Sequence, residues 1–263
     1  MSPRERTGAP AAVKSADRVM TILDLLGERH AMTFSEIAAA LELPKSSAHS
    51  LLATMTERGY LELDPERRTY RVGIRVWQLA RTRRDIEELR VLLEPIMDRL
   101  GAETTETVQL ARLEGSEVVY LAIIEAAHPM KLMSTVGARL SAHGSGVGKV
   151  LLAALHPDDA RARLERAVPL TALTEHTITD PDQLMVELER VRKRGYATDQ
   201  EEFAVGLRCV AMPVVDGDGR TVAAMSVSIP TPRWSREVAA QAREALAEAT
   251  ACAHGLLAGG RSG

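Results

Sequence analysis

The sequence predicts an α+β protein of two domains: a small helical unit closed by a hairpin, then a larger domain mixing strands and helices. Three observations carry this expectation. Before residue 60, apolar residues recur at helical spacing in three short runs, and two alternating runs follow. Beyond residue 105, strand-like and helix-like runs intermingle without the strand–helix–strand repetition of a parallel sheet. The 263 residues, 45% of them apolar, suffice for one or two cores at about 150 residues per domain.

The first 12 residues, rich in Pro, Ala and charge, read as a tail. Ser15 is expected to cap a first helix, with Val19, Ile22, Leu23 and Leu26 on one face and Gly27 as its stop. Thr33-Phe34-Ser35-Glu36 is a capping-box pattern, in which Thr33 and Glu36 satisfy each other's exposed amides. A short helix over Ser35–Leu41 buries Ile37, Ala38 and Leu41. Leu43-Pro44 breaks the chain, and Pro44 suits the first turn of a further helix over Lys45–Arg58. That helix turns Ala48, Leu51, Leu52 and Met55 inward and leaves Lys45, Ser46, Ser47, His49 and Ser50 outside; Gly59 ends it. Tyr60–Leu63 and Thr69–Val72 alternate as strands around the turn Asp64-Pro65-Glu66-Arg67-Arg68.

Three helices and a basic-tipped hairpin are the parts of a winged helix-turn-helix, which places its second short helix in the major groove of double-stranded DNA. A helical hairpin that merely packs is the plainer alternative for residues 33–58 alone, but it leaves the hairpin unexplained. Lys45 and the amides at the start of its helix suit a phosphate or a base edge. Arg67 and Arg68, with Arg71 as a further candidate, present the wing to phosphates.

Ile74–Leu100 is mostly helical, with Ile86, Leu89, Leu93, Ile96, Met97 and Leu100 in one stripe and Pro95 expected to bend or restart it. The basic run Arg81-Thr82-Arg83-Arg84 is either a solvated face or a DNA-flanking patch. Thr107–Ala111 and Glu117–Leu121 read as strands around Glu114-Gly115-Ser116, and Lys131–Ser134 as a further short strand. A helix opens in His143–Lys149 and runs to Leu155. Another is capped at Asp180-Pro181 and ends at Gly195, its basic last turn matching the helix dipole. Val210–Val215 and Val222–Ile229 flank Asp216-Gly217-Asp218-Gly219, a hairpin turn signal. An Ala-rich helix spans Arg236–Leu257.

Composition narrows the function. Lys and Arg number 33 against 36 Asp and Glu, a net charge of −3. Residues 1–90 carry 15 basic against 13 acidic side chains, and the remainder 18 against 23. The chain therefore reads as a mildly positive reader attached to an acidic partner domain. Eight aromatic rings are too few for a platform that stacks single-stranded bases. No apolar run approaches a membrane span, and the opening residues lack the apolar block of a secretory signal. Two cysteines, Cys209 and Cys252, make neither a disulfide framework nor a zinc site, so a cytoplasmic location is expected.

The glycine-rich stretch Gly144–Lys149 is not a nucleotide loop. Only three residues separate Gly144 from Gly148-Lys149, where a phosphate loop has four, and Val150 stands where Ser or Thr is required. Open amides at a helix start can still hold a small anion such as a carboxylate, with tight helix packing as the alternative. An enzyme would need a base beside Cys209 or a serine nucleophile, and a third group to orient it. The seven histidines are scattered without metal-ligand spacing, and His143 is the one candidate base near the glycine-rich stretch. No catalytic residues, metal or cofactor are therefore expected.

Ser15, Arg18, Ile22-Leu23, Glu36-Ile37-Ala38, the block Leu43-Pro44-Lys45-Ser46-Ser47-Ala48-His49-Ser50-Leu51-Leu52 and the wing ending Tyr70-Arg71-Val72-Gly73 resemble the DNA-binding domain of IclR-type bacterial transcriptional regulators. Arg139–Lys149, and Gly195–Asp199 with Glu202, Gly206, Cys209–Ala211 and Pro213-Val214, are similar to the signatures of that family's effector-binding domain. The resemblance implies a winged helix-turn-helix over residues 13–75, a linker helix over 76–90 that helps dimerise, and a GAF-like effector-binding domain over 91–258. It implies homodimers or dimers of dimers on operator DNA, controlled by a small effector, often an organic acid. It places the pocket at Gly146, Val147, Asp199, Cys209, Ser226 and Ser228, with Leu132 and Met133 as an apolar wall. The family usually has Arg where this chain has Ser50, so a contact there is either missing or supplied by His49 or Arg58.

The chemistry of these side chains agrees with the resemblance. Gly146 and Val147 offer amides to a carboxylate, and Ser226 and Ser228 share a strand face and suit a hydroxyl or keto oxygen. Asp199 beside an acid must be protonated or turned to a hydroxyl. The plainer alternatives are a packing cysteine at Cys209 and a solvent-facing polar strand at the serines. The expected function is effector-controlled transcription regulation, as repressor or activator; the alternatives are a ligand-independent architectural DNA-binding protein or a Cys/Ser hydrolase.

Overall fold

The computed structural model describes residues 13–80, 84–128 and 135–259. Chain contacts divide it into two units, residues 1–85 and 86–263.

In the first unit, helix α1 (Lys14–Arg29) is followed by strand β1 (Met32–Thr33), α2 (Phe34–Ala40) and α3 (Lys45–Glu57). Strands β2 (Leu61–Asp64) and β3 (Thr69–Val72) form the hairpin, and α4 spans Ile74–Ala80. The three strands pair antiparallel in the order β1-β3-β2. Ile22 and Leu26 of α1, Ile37 of α2, Leu52 and Met55 of α3 and Leu61 of β2 share one buried cluster. The capping box is present: the Thr33 hydroxyl accepts from the Glu36 amide, and the Thr33 amide donates to the Glu36 carboxylate at 2.7 Å.

Both limits of α1 differ from the sequence expectation. Val13, not Ser15, occupies the cap of α1, and no side chain caps it, because the helix opens one residue before Ser15. Gly27 does not stop the helix, which continues to Arg29 and closes at His30 with φ 63°. Glycine inside a helix costs only about 1 kcal/mol relative to alanine, and burial of the neighbouring Leu26, 1% exposed, outweighs it. Pro44 takes the cap position of α3, one residue before the helical turn expected for it.

Helix α5 (Arg84–Thr104), which belongs to the second unit from Ile86 onward, passes through Pro95 without restarting. Leu89, Leu93, Ile96, Met97 and Leu100 are buried along one face on both sides of the proline, and this packing holds the turn that lacks one amide donor. The basic run 81–84 lies outside the described residues except for the Arg84 backbone, and so does the strand expected at Lys131–Ser134.

Strands β4 (Thr107–Glu114), β5 (Glu117–Ile124), β6 (Arg139–Ser141), β7 (Ala197–Gln200), β8 (Leu207–Val215) and β9 (Thr221–Pro230) form one antiparallel sheet in the order β6-β5-β4-β9-β8-β7. One face packs Val108, Leu110, Val210, Met225, Val227 and Ile229 against α5 and the last helix, α9 (Arg236–Gly259). The other meets α6 (Gly146–Ala153), α7 (Pro157–Arg166) and α8 (Pro181–Arg194) through a second apolar cluster. On that face the sheet offers Ala111, Ala211 and Ala224, small side chains that let a helix approach closely. Helix α8 is capped as expected: Asp180 accepts from the Asp182 and Gln183 amides, and Gly195 closes the helix with φ 79°. Asp216 organises the β8–β9 turn by accepting from the Asp218 and Arg220 amides.

Candidate functional site

The first unit presents a polar helix face. Lys45, Ser46, Ser47, His49 and Ser50 of α3 are all exposed, whereas Ala48 and Leu52 on the opposite side are 1% and 0% exposed. The Ser50 hydroxyl turns back onto the Ser46 carbonyl at 3.1 Å, so it offers outward only lone pairs. His49 lies with its ring centroid 6.5 Å from that of Phe34 in a tilted contact. In the hairpin, the Asp64 carboxylate accepts from the Glu66 and Arg67 amides, which fixes the turn and leaves the Arg67 and Arg68 side chains exposed. Arg71 is different. Its guanidinium pairs with Glu62 on the adjacent strand at 2.9 Å, so the sheet engages the third wing arginine.

In the second unit, register brings the expected residues of the sheet into one polar row. Asp199 of β7 faces Cys209 of β8, and Cys209 faces Ser228 of β9. Ser226 lies two residues before Ser228 on the same strand face. Both serines are buried, 2% and 5% exposed, which excludes a solvent-facing strand. The row points to the α6 side of the sheet, because Ala211 and Ala224, which alternate in phase with it, belong to the α6 cluster.

The start of α6 sits on this row. A Cβ added to Gly146 would lie 2.5 Å from the Cys209 sulfur and 3.4 Å from the Ala211 Cβ; one added to Gly148 would lie 2.1 Å from the Ala142 carbonyl oxygen. Close packing therefore requires both glycines. Ser145 caps the helix by accepting from the Gly148 amide at 3.2 Å. The amides of Gly146 and Val147 precede the first intrahelical bond, from the Lys149 amide to the Ser145 carbonyl. The Val147 side chain belongs to the apolar cluster. Leu132 and Met133 lie outside the described residues.

Three ionisable groups adjoin the row. Lys149, 1% exposed, donates to Glu202 at 2.5 Å. Asp199 accepts from the Glu202 amide at 2.7 Å and the Phe203 amide at 3.3 Å. Burial dominates and pushes the Asp199 carboxyl up to about 7, although both amides and the Lys149 charge oppose the shift. The folded state keeps the Asp199 proton up to about pH 7, whereas the unfolded chain releases it near 3.8. Unfolding between these limits releases a proton, so stability falls as pH rises across them, by up to about 1.4 kcal/mol per unit. The stability difference between the wild type and Asp199→Asn is expected to narrow or reverse from pH 4 to 7 in denaturant titrations; a constant difference contradicts the shift.

The family model of the IclR helix-turn-helix domain matches residues 15–65, and that of the bacterial transcriptional regulator IclR C-terminal region matches residues 83–254. The chain belongs to the IclR family of bacterial transcriptional regulators. It is 34% identical over 252 residues to the HTH-type transcriptional regulator BhcR of Paracoccus denitrificans, covering 94% of this chain and 90% of that protein. It is 33% identical over 230 residues to the transcriptional repressor IclR of Escherichia coli, covering 86% and 84%. An IclR homologue from Microbacterium hydrocarbonoxydans, crystallised with 4-hydroxybenzoate, superposes with a TM-score of 0.80 at 28% identity, covering 93% and 98%. This IclR-family chain is thus a DNA-binding transcriptional regulator and not an enzyme. Cys209 agrees: burial pushes its thiol well above the usual range, which makes it a poor nucleophile. Among the described residues, no helix of the regulator is long and apolar enough to cross a membrane.

Sequence reasoning missed two groups beside the row. Gln109 of β4 is fully buried and accepts from both serine hydroxyls. The Lys149–Glu202 pair is separated by 53 residues, so no local pattern could reveal it.

Proposed function

We propose that this IclR-family regulator binds an organic or aromatic acid at the row Asp199–Cys209–Ser226–Ser228 under the start of α6, and that the acid controls operator binding. The observation that carries this reading is the meeting of a helix start with a buried polar row on an otherwise apolar sheet face. Helix N-termini favour anions, and buried polar groups are retained where they serve a partner. A relative crystallised with 4-hydroxybenzoate supports an acid as the ligand class. In this reading the Val147 and Gly146 amides take the carboxylate and a protonated Asp199 donates to it; Leu132 and Met133, outside the described residues, are the apolar contacts that the family resemblance implies.

The regulator acts as a dimer or a dimer of dimers, with residues 76–90 linking reader to sensor between domains spanning 13–75 and 91–258. The acid must bind one dimer arrangement better than the other, since a ligand with equal affinity for both shifts nothing. Lys45, Ser46, Ser47, His49 and Ser50 read the major groove, and Arg67 and Arg68 hold phosphates. Half-sites then lie about 10 base pairs, or a multiple, apart.

Two measurements test this reading. A thermal-shift screen of small organic and aromatic acids should reveal the effector class, because a ligand at 100 times its Kd stabilises by about 2.7 kcal/mol. Lys45→Ala with Arg67→Ala should weaken binding to an operator obtained by in vitro selection, and loss of the Arg67 phosphate contact should reduce the slope of log affinity against log salt by about 1. An unchanged affinity and slope remove both residues from the interface.

A further inference from the structure

We propose that Gln109 is an effector-contacting residue that sets the ligand class: an acid carrying a hydroxyl donor remote from its carboxylate. The inference rests on the effector-site reading above and deepens it.

Gln109 is 0% exposed and faces Ser226 directly across the β4–β9 ladder, with Thr107 facing Ser228 beside it. Its Oε1 accepts from the Ser226 hydroxyl at 2.9 Å and from the Ser228 hydroxyl at 3.0 Å. Its Nε2 is buried and has no hydrogen-bond partner among the described residues. A buried amide donor without a partner is costly in the free protein, and such groups mark places where something else binds.

The bond directions decide what that is. A serine has one hydroxyl proton, and both protons are committed to Gln109, so Ser226 and Ser228 present only lone pairs. The row therefore offers the Gln109 donors flanked by two acceptors. A hydroxyl group satisfies both, accepting from Nε2 and donating to a serine oxygen. A keto or ether oxygen only accepts, and a bare hydrocarbon does neither.

The strand order sets the span. The start of α6 rests on Cys209 of β8, while the serines lie one strand away on β9 and Gln109 two strands away on β4. One to two strand spacings are roughly 5–10 Å. A carboxylate at α6 and a hydroxyl at Gln109 thus belong to opposite ends of one molecule, as on an aromatic ring, and not to adjacent carbons.

The test is calorimetric titration of the full chain with 4-hydroxybenzoate, 4-methoxybenzoate and benzoate. The wild type should bind 4-hydroxybenzoate about tenfold to a hundredfold more tightly than either analogue. Gln109→Met and Gln109→Leu, which remove the donor, should erase that preference. If these variants lose the wild-type melting transition, the Ser226→Ala/Ser228→Ala double variant decides. It keeps the Gln109 donor, so it should still bind 4-hydroxybenzoate more tightly than benzoate. A preference that survives in the Gln109 variants, or its loss in the double serine variant, overturns the role of Gln109 and leaves the site reading standing. Equal binding of the three acids, or binding of none, overturns the ligand class. Unaltered 4-hydroxybenzoate binding by Gly146→Val instead removes the site itself.

Discussion

A Gly146→Val regulator is expected to bind operator DNA as the wild type does and to lose its response to the effector. The cause is steric. The Cys209 sulfur lies 2.5 Å from where a Cβ would stand, and Cys209 sits on a strand hydrogen-bonded on both sides, so the helix start must lift. Overpacking of this kind typically costs 1–3 kcal/mol, and here the displacement falls on the amides proposed to hold the carboxylate. Gly146→Ala meets the same sulfur and should weaken the effector by about tenfold or more. Adding Cys209→Ala removes the clashing atom and should recover part of that loss. The checks are calorimetry for the effector and fluorescence anisotropy for the DNA. A full response in Gly146→Val means that the pocket is elsewhere.

Lys149→Met should produce the largest loss of stability. It leaves the Glu202 carboxylate buried without its cation, and the Glu202 Oε2 is already without a hydrogen-bond partner among the described residues. Breaking one side of a buried ion pair costs about 3–5 kcal/mol, which for this size of protein lowers the melting temperature by roughly 10 °C. The double variant Lys149→Met/Glu202→Leu removes both charges and should recover most of the loss. Equal stability of Lys149→Met and wild type in calorimetry contradicts a structural role for the pair. Glu202 also stakes the loop after β7: its carbonyl accepts from the Thr177 hydroxyl at 2.7 Å, and its amide donates to Asp199. Loss of the pair should therefore disturb the effector site as well.

The first unit was legible because its signals are local. A capping box, a 3.6-residue stripe and an alternating hairpin each act within a dozen residues, and each appears where its pattern stands. The same holds for the Asp180 cap, the Gly195 stop and the turn at Asp216. Helix α7 carries comparable local signals, with Pro157 in its first turn, Asp158 and Asp159 beside it and Arg163 and Arg166 at its end. Strand β7 is another matter. Thr198, Asp199 and Gln200 show no apolar alternation, and β8 beside them determines their strand conformation.

The residues of the polar row could be named from the sequence, but their contacts could not. Polar side chains in strands ordinarily face water, but both faces of this sheet are covered, so Gln109, Ser226 and Ser228 all turn inward. Their mutual hydrogen bonds cross 117 and 119 residues of chain, and no spacing rule reaches that far. The serines looked equally able to donate or accept; Gln109 removes that freedom. For Asp199, burial raises the carboxyl far above its ordinary value, and that burial comes from the covered sheet face, which no local pattern reveals.

Occupation of the row under α6 is proposed to control the reader. The direct measurement is the affinity of the full chain for its selected operator, with and without a saturating acid from the thermal-shift screen, in the wild type and in Gly146→Val. At least a fivefold change is expected in the wild type, the lower end of usual coupling between sites, and none in the variant. An acid that binds the row and leaves operator affinity unchanged in the wild type would rule out that control.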